Sequence, residues 1–311
     1  MLDRPAAEIE TRMLPVGDGH ILHVETFGAP DGIPVVHLHG GPGSGAQPDH
    51  RALFDPARHR AVLYDQRGAG RSTPLRSRTA NTTAHQIADL ETIREALGID
   101  RWVVAGGSWG ATLALAYAQA HPERVSGLVL RATFLGTRAE LDQAFLATLP
   151  RVHPALHEDF LAILTLEERA TPLDSYWRRI LDPNPLVHEP AARAWSVTER
   201  ALSQVHPTQT RFAPGVISTG PLPTTPFMEA HYFSQNCFLA PDQILQNAQR
   251  LSGIPGLIVQ GRLDLLCPPA TAHALASRWT TAELRLVEGA GHAMSEPGVM
   301  EAVRAAIRDL A

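Results

Sequence analysis

The stretch Trp102-Val103-Val104-Ala105-Gly106-Gly107-Ser108-Trp109-Gly110, continuing as Ala111-Thr112-Leu113-Ala114-Leu115-Ala116-Tyr117-Ala118, decides how this chain is read. An apolar run meets a glycine-rich turn, and a helix-forming run leaves it. The pattern Gly-x-Ser-x-Gly sits at the turn, with Ser108 at its centre. A serine on a tight strand-to-helix turn has its Oγ pushed clear of the sheet, and the flanking glycines let the backbone close around it. The backbone N–H of Trp109 and the start of the following helix then face the atom that the serine attacks. The stretch predicts a nucleophilic Ser108, with Trp109 N–H as one donor to a developing oxyanion.

The flanking sequence repeats the strand and helix alternation. Thr11 to Thr26 reads as a hairpin turning at Gly17-Asp18-Gly19-His20. Buried strands follow at Pro34-Val35-Val36-His37-Leu38 and Ala61-Val62-Leu63-Tyr64. Thr83 to Leu97 is helical and stops at Gly98. Val125 to Leu130 reads as a strand after the serine's helix, and Gly256 to Gly261 and Leu284 to Val287 as two more, before a last helix from Pro297 to the end. This order means an α/β fold, a mostly parallel sheet flanked by helices, here the α/β-hydrolase fold. From about Leu135 to Arg250 the pattern changes to amphipathic helical runs with proline-rich loops at Asp182-Pro183-Asn184-Pro185 and Thr219 to Pro226. That segment is expected to be an inserted helical cap. The expected division is residues 1–134 and 247–311 for the catalytic domain and 135–246 for the cap.

The chain has 311 residues, 44% of them hydrophobic, enough for one large core with an inserted lobe. Its net charge is −5, and all 27 basic residues are arginine. No basic run or zinc-finger spacing points to nucleic acid. No stretch is long and apolar enough to span a bilayer, and the polar start Met1 to Glu10 lacks a signal-like apolar core, so the expected compartment is cytoplasmic. Two cysteines, Cys237 and Cys267, are too few for a disulfide framework, and their spacing is no metal motif. His37 and His39 have no third partner nearby in sequence, so neither a metal nor a cofactor is expected.

A serine needs a base, and the base needs an orienting carboxylate. In this fold they follow in the order Ser, Asp, His at the carboxyl ends of strands. Asp264, in Gly261-Arg262-Leu263-Asp264, and His292, in Glu288-Gly289-Ala290-Gly291-His292, stand at such positions. Asp242 and Glu288 are the competing carboxylates. A second oxyanion donor is expected from His39-Gly40-Gly41-Pro42-Gly43. Gly41 is the first choice, because Pro42 has no N–H, and Gly40 is the alternative.

His39-Gly40-Gly41-Pro42-Gly43, Asp65-Gln66-Arg67-Gly68-Ala69-Gly70-Arg71-Ser72, Gly106-Gly107-Ser108-Trp109-Gly110 and Gly261-Arg262-Leu263-Asp264 together resemble the proline iminopeptidase family. The likeness covers nearly the whole chain, including Asn81-Thr82-Thr83. It implies a serine exopeptidase that removes N-terminal proline, with short proline-first peptides as partners. It also implies two cap glutamates that hold the substrate's ammonium: Glu199 in Ala194-Trp195-Ser196-Val197-Thr198-Glu199, read as a tryptophan-containing helix start, and Glu229 before Ala230-His231-Tyr232-Phe233. Phe134 and Phe233 match aromatic positions of the proline pocket, with Phe145 as a third. The chain departs from the family at Thr198, Gln143 and Ala84, where aromatic bulk is usual; this predicts a roomier pocket and looser proline selectivity. The competing readings are a serine esterase or amidase of the same fold and a non-catalytic, receptor-like hydrolase fold. The sequence leaves the natural peptide, the oligomeric state and the reactivity of Cys267 open.

Overall fold

The computed structural model describes residues 8–212 and 220–311. Thr219, the expected start of a proline-rich loop, and the first seven residues lie outside them. Eight strands are present: β1 Ile9–Gly17, β2 His20–Gly28, β3 Ile33–Leu38, β4 His59–Tyr64, β5 Trp102–Ser108, β6 Val125–Thr133, β7 Gly256–Gly261 and β8 Ala282–Val287. They form one sheet in the order β1-β2-β4-β3-β5-β6-β7-β8. The β1–β2 and β2–β4 pairs are antiparallel and every later pair is parallel.

The central strands are unbroken apolar runs because both of their faces are covered. Val36, Leu38, Val62, Tyr64, Val104 and Leu130 point to one core, and Val35, Ala61, Leu63, Val103, Ala105 and Val129 to the other. The first face packs against α1 (Thr83–Ala96) and α2 (Trp109–Ala120) through Leu90, Ile93, Leu113 and Tyr117. Between β6 and β7 the described residues form α3 Arg138–Asp142, α4 Leu149–Val152, α5 Pro154–Ala162, α6 Pro172–Ile180, α7 Pro185–Ser203, α8 Thr225–Phe233 and α9 Gln243–Gln246, with no strand among them. Two helices complete the chain, α10 Pro269–Ala276 and α11 Val299–Leu310. The second face is covered by α11 through Val299, Val303 and Ile307.

The helix α10 opens at Pro269, where a proline in the first helical turn gives up an N–H that has no partner anyway. Two boundaries differ from expectation. The last helix begins at Val299, since Gly298 takes the left-handed conformation (φ 78°). Trp195 lies in the middle of the 19-residue α7, and the helix start is at Asn184-Pro185. There Asn184 accepts a hydrogen bond from Leu186 N, an ordinary asparagine cap.

Candidate active site

Ser108 is the last residue of β5 and precedes the first residue of α2. Its backbone sits at φ 57° and ψ −125°, a conformation that costs a non-glycine residue about 1–3 kcal/mol and holds the side chain above the sheet edge. The glycines around it are required by contact. A Cβ on Gly106 would lie 2.2 Å from Gly110 O, and one on Gly110 would lie 2.1 Å from Leu38 O. The elbow is thus clasped against the end of β3, which leads into the His39-Gly40-Gly41 loop. A Cβ on Gly40 would come within 3.5 Å of Ser108 Cβ, while Gly41, at φ 103°, faces Thr225 Cγ2 at the start of α8.

Past the ends of β7 and β8, His292 Nδ1 lies 2.9 Å from Asp264 Oδ2 and 3.1 Å from Oδ1. A carboxylate accepts only, so Nδ1 carries the hydrogen and Nε2 is left as a base. Asp264 is buried and fully partnered: Oδ1 accepts from Leu266 N at 3.0 Å and Cys267 N at 2.8 Å, and Oδ2 from Gln260 Nε2 at 3.1 Å. Asp264 thus holds the turn through Leu266 and Cys267 and contacts the histidine at the same time. Asp242 lies away from this group as the N-cap of α9, and Glu288 is exposed, paired with Arg262 at 2.7 Å.

Gln260 was not foreseen, although a fully buried amide in an otherwise apolar strand is itself a signal. It ties the two halves together. Ser108 pairs with Thr133 in the β5–β6 ladder, and Thr133 N donates to Gln260 Oε1 at 3.1 Å. Arg131 is a second unforeseen brace: its Nη1 donates to His292 O, and its guanidinium packs where a Gly107 side chain would stand. The Cys267 thiol is buried, and burial followed by the Asp264 charge pushes its pKa well above the usual value, so it stays an inert thiol.

The two glutamates come from α7 and α8. Glu229 is fully buried; Oε2 accepts from Trp195 Nε1 at 2.8 Å, and its carboxyl is in hydrogen-bond contact with that of Glu199. Burial first, and then the nearby Glu199, hold its pKa well above the ordinary carboxylate value. Glu199 is partly buried and is raised for the same leading reason. Four residues further along, Ser203 O accepts from His292 N at 3.0 Å, so α7 joins the acidic pair to the histidine loop.

Phe134 and Phe233 meet edge to face with centroids 5.8 Å apart. Phe145 stacks on Trp195 at 4.5 Å, so its ring supports the indole that holds Glu229. Of the three positions expected to lose bulk at the cavity, only Thr198 is buried. Ala84 and Gln143 are exposed, and Gln143 Nε2 turns to Thr148 Oγ1 at 3.2 Å, so the loss of bulk narrows to Thr198.

The alpha/beta hydrolase fold family matches residues 33–299. The chain is similar to a probable proline iminopeptidase of Leptolyngbya boryana, 42% identical over 96% of this chain and 92% of that protein. It is also similar to a proline iminopeptidase of Xylella fastidiosa, 43% identical over 94% of this chain and 93% of that one. Among solved structures, a proline iminopeptidase-related protein of Thermus thermophilus superposes with a TM-score of 0.63 over 97% of each chain at 22% identity, a likeness of fold. On its sequence relatives, this chain belongs to the proline iminopeptidase family of the α/β-hydrolase fold.

Proposed function

We propose that this chain is a serine aminopeptidase that releases N-terminal proline from peptides through an acyl-enzyme. The observation that carries this reading is Glu229: a fully buried carboxylate in hydrogen-bond contact with a second carboxylate, Glu199. A buried and a partly buried acid side by side must share a proton or be joined by a cation, and a substrate's N-terminal ammonium supplies one.

The steps follow from the residues. Glu199 and Glu229 hold the ammonium, Phe134 and Phe233 build the apolar wall for the proline ring, and Phe145 backs Trp195 beside Glu229. His292 Nε2 takes the proton of Ser108 Oγ as that oxygen attacks the proline carbonyl. Asp264 keeps the imidazole oriented and stabilises its cationic form. Trp109 and Gly41 N–H receive the oxyanion. His292 returns the proton to the leaving amine, and water then hydrolyses the prolyl ester. Side chains and water complete this chemistry without a metal or cofactor. The helices of 135–246 act as a cap that admits a chain end and bars an internal segment. Among the described residues no helix is long and apolar enough to cross a membrane, and the proposed compartment is the cytoplasm.

The test is arylamine release from proline arylamide, beside the N-blocked arylamide and a simple acyl ester, with Ser108→Ala as control. Turnover of the free-amine substrate, lost by at least about 10⁴-fold in Ser108→Ala, is expected. Turnover of only the ester or the blocked substrate would replace this reading with an esterase.

A further inference from the structure

We infer that Gln66 is a positioning residue that sets the two backbone donors of the oxyanion hole against each other. The inference rests on the serine chemistry proposed above. Gln66 lies just past β4 and is buried, as are His39 and Trp109. Its side chain spans the two loops from which the donors come. Oε1 accepts from Trp109 Nε1 at 2.8 Å, and Nε2 donates to His39 O at 2.9 Å. An amide that uses both ends at once fixes the separation of its partners, and burial leaves water no way to substitute.

The backbone of Gln66 makes a third tie. Its N–H donates to His39 Nε2 at 3.0 Å. That nitrogen is therefore the acceptor, and Nδ1 carries the hydrogen. Nδ1 donates to Gly40 O at 2.9 Å, and Ser44 Oγ donates to the same carbonyl at 2.7 Å. Gly40 C=O and Gly41 N–H belong to one planar peptide group and point in opposite directions. Tying the carbonyl back into the loop thus aims Gly41 N–H outward. Burial holds the His39 pKa below its ordinary value, which keeps the ring neutral and able to accept. Gln66 touches no substrate and acts through His39 and Trp109.

The test is a double-mutant cycle of Gln66→Met and Trp109→Phe, assayed with proline arylamide and with an activated acyl ester. Gln66→Met keeps side-chain length and loses both amide ties, and Trp109→Phe removes the indole donor together with one ring's volume from a buried site. A displaced oxyanion donor lowers the rate of both reactions, so kcat is expected to fall about 10- to 100-fold in Gln66→Met. KM should stay within about two-fold and the pH profile should stay put, because the acidic pair and His292 are untouched. Trp109→Phe should also lower kcat, and the double variant should be no slower than the slower single one, since both cut the same tie. Unchanged kcat with a lowered Tm would overturn the inference, as would two losses that multiply. If Gln66→Met does not fold, Trp109→Phe decides alone, and full kcat in that variant overturns it. A wild type inactive on both substrates would remove the functional reading, and this inference with it; an active wild type matched by both variants would remove this inference alone.

Discussion

In the proposed function Glu229 works against stability while serving the site. Burial and Glu199 raise its pKa in the folded protein, so the fold binds more protons than the unfolded chain between the ordinary value of 4.5 and the raised one. Stability therefore falls as pH climbs through that window and is highest below it. Glu229→Gln carries no such penalty. Its Tm is expected to equal or exceed the wild type's at pH 8, with the difference shrinking at pH 5, as differential scanning calorimetry would read. The same variant should lose about 100-fold or more in kcat/KM on proline arylamide, because a buried charge pair has lost one partner. An equal Tm loss at both pH values would mean a structural carboxylate. At this scale the sequence was legible where chemistry demands a residue type at a fixed place: Ser108, Asp264 and His292 stand where strand ends bring them to one edge. Gln260 and Arg131 were not, because nothing local distinguishes a surface amide or guanidinium from one that threads between strands.

Elements explain why the site holds its shape. The elbow depends on β3 and α2 meeting at backbone distance, and Gly110→Ala drives a Cβ to 2.1 Å from Leu38 O. That contact cannot relax by a rotamer change. Thermal unfolding should show a loss of about 2–3 kcal/mol, with the arylamide rate falling alongside; a variant as stable and active as wild type would contradict the close packing. The α7–α8 contact makes a separate forecast. Trp195→Phe preserves stacking on Phe145 and strips Glu229 of its donor, so KM for the free-amine substrate should rise several-fold at a Tm cost of about 1–3 kcal/mol. Boundaries were legible to within two residues at β3, β4 and β7, while β6 runs three residues past Leu130. The expectation failed at α7, whose start is set by Asn184-Pro185 in a segment that reads as a loop, because proline opens a helix as readily as it makes a turn and only tertiary packing chooses between them.

The whole molecule is a sheet whose carboxyl edge collects serine, aspartate and histidine under a helical insertion. The α/β class was legible because strand and helix periods alternate, but the strand order β1-β2-β4-β3-β5-β6-β7-β8 was not, since pairings such as β3 with β5 join segments about 65 residues apart. In the proposed function the insertion limits what can reach the serine. A peptide with proline only at an internal position is expected to survive prolonged incubation, with mass spectrometry as the check, and its cleavage would show that the insertion leaves an open channel. The central claim is that the buried acids read a free N-terminal ammonium. Its most direct test is kcat/KM for one proline-first peptide and its N-acetylated twin, in the wild type and in the Glu199→Gln/Glu229→Gln double variant. The account predicts that the wild type favours the free peptide by about 10³-fold or more and that the double variant loses most of that preference. A preference unchanged in the double variant, or a wild type that cleaves both peptides alike, would contradict it.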